Sequence, residues 1–201
     1  MGSSNVFITP PNIPVPGWGS QFVSGSLSVP AAGFGFSPSS EGVRRFTLQS
    51  PAGSPHQVDP NQKRFSILLV EDSPADAGLV REALEEHGVQ GELIVISDGE
   101  DAVRFIEALD TEPVACPHLV IVDLNLPKVS GFEVLKTMRR STRCQDATVL
   151  ILSSSDMQRE KEQAIRLGAS LYIRKPLRLQ EFFKLGGVFK SILQNRRPGQ
   201  E

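Results

Sequence analysis

The chain has 201 residues and a mass of 21.9 kDa, enough for one domain of about 100–150 residues and an additional segment. Its 21 Lys and Arg residues nearly balance 23 Asp and Glu residues, so the net charge gives no case for nucleic acid or a membrane as main partner. No apolar run reaches the ~18–20 residues of a spanning helix, and the start does not resemble a secretory signal. The two cysteines are too few for a disulfide scaffold and lack metal-ligand spacing, so we expect a reducing, cytoplasmic location.

The first 62 residues differ in composition from the rest of the chain. They contain 11 Ser, 9 Pro and 8 Gly, and only four of them are charged. Without a helical period, such a segment cannot bury enough apolar surface to offset its chain entropy. We therefore predict a disordered Ser/Pro/Gly-rich extension over residues 1–62. Its six aromatic residues leave open a second interpretation, in which the segment is an arm that docks on a partner.

From residue 63 onward, short apolar runs alternate with amphipathic segments, so we predict a domain over residues 63–195 and a polar tail over 196–201. Near-continuous apolar runs are typical of strands that are buried on both faces of a parallel sheet. The predicted strands cover residues 66–70, 92–96, 119–122, 148–152 and 171–173.

Five helices are predicted between and after these strands. Ser73 suits the N-cap of the first, and Ser97 or Asp98 that of the second. The third covers residues 132–139, and the fourth covers 156–167 and ends before Gly168. The fifth covers 179–193, and its two central glycines should each weaken it by about 1 kcal/mol. This alternation predicts a doubly wound α/β domain with helices on both faces of a five-stranded parallel sheet.

Polar side chains stand where the predicted strands end. Glu71 and Asp72 follow the first strand, Asp123 follows the third, Ser153 follows the fourth, and Lys175 follows the fifth. Doubly wound folds place their site beyond the carboxyl ends of the strands. We therefore expect three carboxylates, one hydroxyl and one ammonium group to converge on one edge of the sheet.

These carboxylates need a compensating cation. Two like charges about 4 Å apart repel by about 4 kcal/mol at an effective dielectric constant near 20, and one lysine cannot compensate three acids. Ligands that are all oxygen atoms suit Mg²⁺, which often binds beside a phosphate. Asp72 taken alone would equally suit a helix cap.

A metal beside a carboxylate indicates phosphoryl chemistry, because an aspartate can attack phosphorus to form an acyl phosphate. Asp123 is the best nucleophile, since it follows the central strand of the acidic positions. Lys175 and the Ser153 hydroxyl would stabilise the phosphoryl oxygens. The loop at 124–128 could supply a backbone carbonyl to the metal, and Gly131 would let this loop turn.

Four segments of the sequence carry a resemblance to a known family. ILLVEDSPADA, VIVDLNLPKVSGFEVL, VLILSSSD and GASLYIRKPL occur in this order, each at a predicted strand end. Through them, residues 65–193 resemble the response-regulator receiver domain of two-component signalling. The intervals from Asp123 to Ser153 and from Ser153 to Lys175 also match that family. The resemblance implies a flavodoxin-like sheet with strand order 2-1-3-4-5.

The resemblance assigns a phosphoacceptor and a metal site. Asp123 would accept the phosphoryl group. Mg²⁺ would be bound by Asp72 directly, by Glu71 through water, by Asp123, and by the backbone carbonyl of Asn125.

The resemblance also assigns a switch. Ser153 would provide the switch hydroxyl, Lys175 would pair with the phosphate, and Tyr172 would turn inward on activation. The peptide bond between Lys175 and Pro176 would be cis. Without the resemblance, Tyr172 is better interpreted as an ordinary half-buried strand residue.

Two features depart from the usual family pattern. The switch position more often holds threonine, and Ser153 lacks the methyl group that restricts χ1, so its coupling could be looser. The segment 110–117 is longer than usual. Together with the DLNLPK motif, this length resembles the stand-alone receivers that are partnered with bacteriophytochrome-type histidine kinases.

The resemblance implies a single-domain response regulator. A sensor histidine kinase or phosphotransfer protein would donate a phosphoryl group in a Mg²⁺-dependent reaction. A switch at the fourth helix, fifth strand and fifth helix would then signal to a downstream protein target. We expect no nucleic-acid or membrane partner and no catalysis beyond the protein's own phosphorylation and dephosphorylation; the sequence leaves a homodimer open.

Two other functions compete with this interpretation. An aspartate-based phosphohydrolase needs a second acid two residues after its nucleophile, where this chain has Asn125. A phosphate-independent, receiver-like interaction domain would keep the fold without the switch. The joint presence of Asp72, Asp123, Ser153 and Lys175 argues against it.

Overall fold

The computed structural model describes residues 43–49 and 64–195. Its strands are β1 (Val43–Leu48), β2 (Phe65–Val70), β3 (Gly91–Ile96), β4 (Leu119–Val122), β5 (Val149–Ser153) and β6 (Leu171–Arg174). Its helices are α1 (Pro74–Glu86), α2 (Gly99–Thr111), α3 (Gly131–Arg140), α4 (Gln158–Arg166) and α5 (Leu179–Gln194).

The strands form one six-stranded sheet in the order β1-β3-β2-β4-β5-β6. All neighbours pair in parallel except β1, which is antiparallel to β3. Without β1, the order of the remaining strands is the predicted 2-1-3-4-5. The doubly wound, flavodoxin-like fold is therefore confirmed, with one antiparallel strand added at its edge.

The central strands are apolar throughout because both faces of the sheet are buried. In β2, Ile67 and Leu69 pack in one core cluster with α1 and α5. Leu68 and Val70 pack in the opposite cluster with α2 and α3. The two clusters explain why the sequence shows continuous apolar runs rather than an alternating pattern.

Strand β1 corrects the prediction of a disordered extension over residues 1–62, which was wrong at 43–48. Phe46 packs against the core, and on the opposite face of the strand Arg45 forms a 3.0 Å ion pair with Glu92 of β3. The segment contains residues of high β propensity, and Phe46 and Leu48 pack on the α1 and α5 side of the sheet. It also covers an edge that β3 would otherwise expose. The average composition of the whole segment conceals these six residues. The rest of this extension lies outside the described residues.

Cys116 and Cys144 form a disulfide bond, with Cα atoms 5.6 Å apart. The sequence analysis did not predict it, because two cysteines 28 positions apart carry no local pairing signal. They meet because each lies in the loop before one of the neighbouring parallel strands β4 and β5. The two cysteines therefore give no support to the expectation of a reducing compartment.

The two central glycines do not interrupt α5, which runs unbroken through them. A Cβ atom on Gly186 would lie 2.1 Å from the carbonyl oxygen of Ala83 in α1. The glycine therefore allows the backbones of α1 and α5 to approach closely. The lower helix propensity at this position is offset by this packing.

Helix caps follow the sequence prediction in part. The Ser73 hydroxyl accepts a hydrogen bond from the Asp76 backbone N–H, which confirms Ser73 as the N-cap of α1. Asp98, rather than Ser97, caps α2 by accepting from the Asp101 N–H at 2.9 Å. Among the helices of residues 64–195, none combines the length and the apolarity that crossing a membrane requires.

Candidate functional site

The acidic residues meet at the carboxyl ends of β2 and β4. Val70 and Val122 are partners in the parallel register, so the residues after them stand side by side. The Asp123 N–H donates to the Val70 carbonyl oxygen at 3.0 Å. Carboxylate oxygens of Glu71, Asp72 and Asp123 lie within 4.8 Å of one another. The predicted convergence of three carboxylates is thus present in the structure.

Lys175 completes this cluster from the end of β6. Its ammonium Nζ lies 2.7 Å from each of three carboxylate oxygens, on Glu71, Asp76 and Asp123, and the residue is only 8% exposed. The prediction of a cis bond before Pro176 was wrong, since this bond is trans. Trans is the intrinsically favoured isomer of an X–Pro bond, by about 0.5–1 kcal/mol, and from it Lys175 reaches all three acids.

Asp76 is a site residue that the sequence analysis missed. It lies in the first turn of α1, three positions after the Ser73 cap, and that turn faces the strand ends. The spacing of Ser73 and Asp76 is that of a capping box, a signal that could have drawn attention to position 76. Asp76 is therefore a fourth carboxylate at this edge of the sheet and one of the three that contact Lys175.

Burial on its own shifts the pKa of Glu71 and the pKa of Lys175 in opposite directions. Burial raises the pKa of Glu71 from 4.5 to about 7, because hydrogen bonding and attraction to Lys175 compensate only part of the lost hydration. Burial alone would lower the pKa of Lys175, but its hydrogen bonds to Asp123, Asp76 and Glu71 outweigh burial and raise it. The Lys175 ammonium group contacts three acids at once, so it stabilises the ionised form of Glu71 only in part.

Glu71 should make stability depend on pH. In the folded protein, Glu71 stays protonated at pH values at which it has already lost its proton in the unfolded chain. This contribution to stability is complete below about 4.5 and is lost as the pH rises through about 7. A shift of this size corresponds to roughly 3 kcal/mol. Urea unfolding in EDTA at several pH values should show this loss in the wild type.

The matched variant for this measurement is Glu71→Gln, which cannot titrate at this position. The difference between wild type and variant isolates Glu71 from the other acids, and the raised pKa of Lys175 acts only above its ordinary value of 10.5. A wild-type profile that is parallel to that of Glu71→Gln between pH 4.5 and 7 would contradict the prediction.

The loop after β4 orients Asp123. The Asn125 N–H donates to Asp123 Oδ1 at 3.1 Å, which leaves Oδ2 to Lys175. A Cβ atom on Gly131 would lie 2.0 Å from the Asp123 carbonyl oxygen, so glycine is required where α3 begins. Asn125 is exposed, and the role of its carbonyl as a metal ligand stays a prediction.

Ser153 and Tyr172 are linked through Ser155, which the sequence analysis did not single out. The Ser155 N–H donates to the Ser153 hydroxyl at 3.3 Å, and the Tyr172 hydroxyl donates to the Ser155 carbonyl oxygen at 2.9 Å. Tyr172 lies inward and is 6% exposed, and its burial raises the pKa of its hydroxyl. The serine loop after β5 is thus hydrogen-bonded to both residues of the predicted switch.

The acidic cluster fits a hard divalent cation. Glu71, Asp72 and Asp123 offer only oxygen ligands, from two neighbouring strand ends. Glu71 and Asp123 are buried, whereas Asp72 is exposed, so a bound ion would have access to water. Such a site, with few protein oxygens and an open side, is the kind that Mg²⁺ and similar ions occupy.

Comparison with known proteins agrees with this geometry. The protein-family model of the response regulator receiver domain matches residues 67–185 of this chain. Response regulator Rcp1 of Synechocystis sp. is 35% identical over 120 residues, which cover 59% of this chain and 82% of that protein.

Solved structures give the same result. The Mn(2+)-bound form of Rcp1 has a TM-score of 0.60 at 32% identity and covers 66% of this chain and 97% of its own. The phosphorylated cyanobacterial phytochrome response regulator RcpA has a TM-score of 0.62 at 29% identity, covering 68% and 100%. These similarities confirm the resemblance to phytochrome-associated receivers, and the chain belongs to the response regulator receiver domain family of two-component signalling.

Proposed function

We propose that this protein accepts a phosphoryl group on Asp123 from a histidine kinase or a phosphotransfer protein, in a Mg²⁺-dependent reaction. One observation carries the proposal. The Asp123 carboxylate is buried between the Lys175 ammonium group, 2.7 Å away, and the two further acids of the cluster. A nucleophilic carboxylate, a cation and a set of oxygen ligands are the components that phosphoryl transfer to aspartate requires.

Each residue of the site has a role in this reaction. An Asp123 oxygen attacks phosphorus as the phosphorus–nitrogen bond of the donor phosphohistidine breaks, and the imidazole leaves. The Asn125 N–H holds the other oxygen of Asp123 and fixes the plane of the carboxylate. Lys175 pairs with a phosphoryl oxygen.

Glu71 and Asp72, together with Asp123 and the Asn125 carbonyl, would hold Mg²⁺. When bound, the ion supplies neutralisation of the developing charge on the phosphoryl oxygens.

Ser155 supports a path from the site to the surface. If the Ser153 hydroxyl turns to donate to the phosphoryl group, it gives up the hydrogen bond from the Ser155 N–H. Ser155 also holds the Tyr172 hydroxyl through its carbonyl oxygen, so a movement of Ser155 changes the position of that ring. Helix α4 begins three residues later, at Gln158.

The surface formed by α4, β6 and α5 has the composition of a docking site for a downstream protein. Within the part of the chain that the structure describes, the exposed large hydrophobic residues are confined to this region. They are Met157, Ile165, Leu177 and Leu179. Grouped exposed apolar residues indicate an interaction surface.

The test is incubation of the full chain with Mg²⁺ and acetyl phosphate, followed by intact mass spectrometry. We expect one phosphoryl adduct on the wild type and none with Asp123→Asn or with EDTA. Asp146→Asn, an exposed acid in the loop before β5, serves as the control and should be phosphorylated normally. An adduct that persists in Asp123→Asn, or no adduct on the wild type, would contradict the proposal.

Calorimetric titration with Mg²⁺ separates this function from a phosphate-independent interaction domain. We expect binding to the wild type and a loss of affinity of about tenfold or more in Asp72→Asn, because one charged ligand is removed. A wild-type chain that binds no Mg²⁺ would favour the interaction domain.

A further inference from the structure

A cavity of about 280 Å³ lies beside the acidic cluster, between β1, the end of β3 and α1. Its lining includes Glu71 and Asp72 of the acidic cluster, Arg44 and Phe46 of β1, and Arg81 of α1. The roles proposed above use only the two acids. The two arginines therefore need an explanation of their own.

The direction of β1 brings Arg44 to this place. Because β1 is antiparallel to β3, its beginning lies at the carboxyl ends of the parallel strands, with Arg44 paired to Val95 in the register. Side chains alternate along a strand, so Arg44 and Phe46 share a face, and Phe46 packs with the α1 side of the core. An exposed guanidinium is thereby placed at the same edge as Asp123.

Arg81 enters the cavity from α1. Its guanidinium carbon lies 5.2 Å from the centre of the Phe46 ring. Its Nε atom is buried and has no hydrogen-bond partner among the described residues. Because Nε is closed to solvent, a ligand in the cavity would meet the two terminal Nη atoms of this guanidinium, which are not among the buried atoms without a partner.

Two arginines and two acids line the cavity. Neither Arg44 nor Arg81 forms an ion pair with any residue in 43–49 or 64–195. Of the two acids in the lining, Glu71 is held by Lys175 at 2.7 Å, and Asp72 is exposed at the metal site proposed above. Two guanidinium groups without a carboxylate partner are thus available to a ligand.

We propose that this cavity binds a small oxyanion, a carboxylate or a phosphate, through Arg44 and Arg81. The planar fork of arginine matches two oxygen atoms of either group. Pockets for drug-sized ligands measure about 300–1,000 Å³, so a cavity of this volume suits a smaller molecule. Phe46 holds the Arg81 guanidinium in place by stacking against it.

The experiment is an NMR titration of the full chain in EDTA, with acetate and inorganic phosphate added separately at constant ionic strength. The reporter is the Nε–Hε signal of Arg81, identified by its absence in Arg81→Lys. We expect this signal to shift with saturation for at least one anion, and the anion that produces the shift identifies the ligand class.

Variants then locate the binding. Arg44→Gln and Arg81→Lys should each weaken anion affinity about tenfold, followed through backbone amide signals. Arg81→Lys keeps the charge and the apolar stem, so folding is preserved while the fork is lost. Arg45→Gln is the matched control, because the Arg45 side chain lies on the face of β1 opposite to Arg44 and pairs with Glu92. It should leave the affinity unchanged.

Three outcomes would overturn the proposal. The first is an affinity that is equal in the wild type and in both arginine variants, and the second is a shift that sodium chloride alone reproduces. The third is binding that disappears in Asp123→Asn, which places the anion at the phosphoacceptor site, since Asp123 does not line this cavity. Phosphorylation is measured separately by mass, so a failure here leaves the proposed function untouched.

Discussion

Replacing Lys175 with methionine should lower the free energy of unfolding by about 3–5 kcal/mol, because it removes the cation from a buried ionic cluster. The ammonium group contacts Glu71, Asp76 and Asp123, each at 2.7 Å. Without it, Asp76 and Asp123 lose their counter-charge in a poorly hydrated environment, and Glu71 loses the attraction that lowers its pKa. Urea unfolding at neutral pH in EDTA measures the loss.

Added Mg²⁺ should restore more stability to Lys175→Met than to the wild type. In the variant, the ion neutralises a larger excess of negative charge, because the lysine is absent. Lys128→Met is the control. Lys128 forms a 2.9 Å ion pair with Asp98, but its side chain is 55% exposed, and we expect a loss below about 1 kcal/mol. Equal losses in the two variants would show that the cluster does not depend on Lys175.

Gly186→Ala should destabilise the protein by about 1–3 kcal/mol, the usual range for overpacking a well-packed interior. Its Cβ atom would stand 2.1 Å from the Ala83 carbonyl oxygen, a backbone atom, so α1 and α5 would have to separate. Urea or thermal unfolding of the full chain measures the effect, with circular dichroism confirming that the helices remain.

The neighbouring glycine provides a matched control. A Cβ atom on Gly187 would meet the His87 ring at 3.3 Å, and a side chain can move where a backbone cannot. Alanine also gains up to about 1 kcal/mol in helix propensity over glycine, so Gly187→Ala should change stability by less than Gly186→Ala. Similar losses at both positions would mean that α1–α5 packing is not limiting.

The sequence predicts the parallel sheet and most of the acidic edge because both depend on local pattern. A continuous apolar run identifies a doubly buried strand, and the residue after it is then placed at the carboxyl edge without knowledge of any contact. Asp123 and Lys175 were identified in this way, 52 residues apart. The strand order itself came from the resemblance.

The features that the sequence analysis missed depend on long-range neighbours. Strand β1 exists as a strand because β3, about 50 residues later, offers it an edge. Cys116 and Cys144 meet only because their loops precede adjacent strands. Asp76 was overlooked although a local signal existed. Its capping-box position was visible, but that it reaches Lys175 depends on how α1 sits on the sheet.

The course of the backbone also decides where a probe or a fusion partner can be attached. Val43, at the start of β1, lies next to the edge that carries Asp123, because β1 is antiparallel to its neighbour β3. Helix α5 starts near that edge and, at 1.5 Å per residue, its 16 residues carry the chain about 24 Å towards the opposite end. A fluorophore attached at position 43 would therefore lie beside the acidic cluster, where the proposed phosphoryl donor would approach, whereas one attached at position 195 would lie towards the opposite end of the sheet.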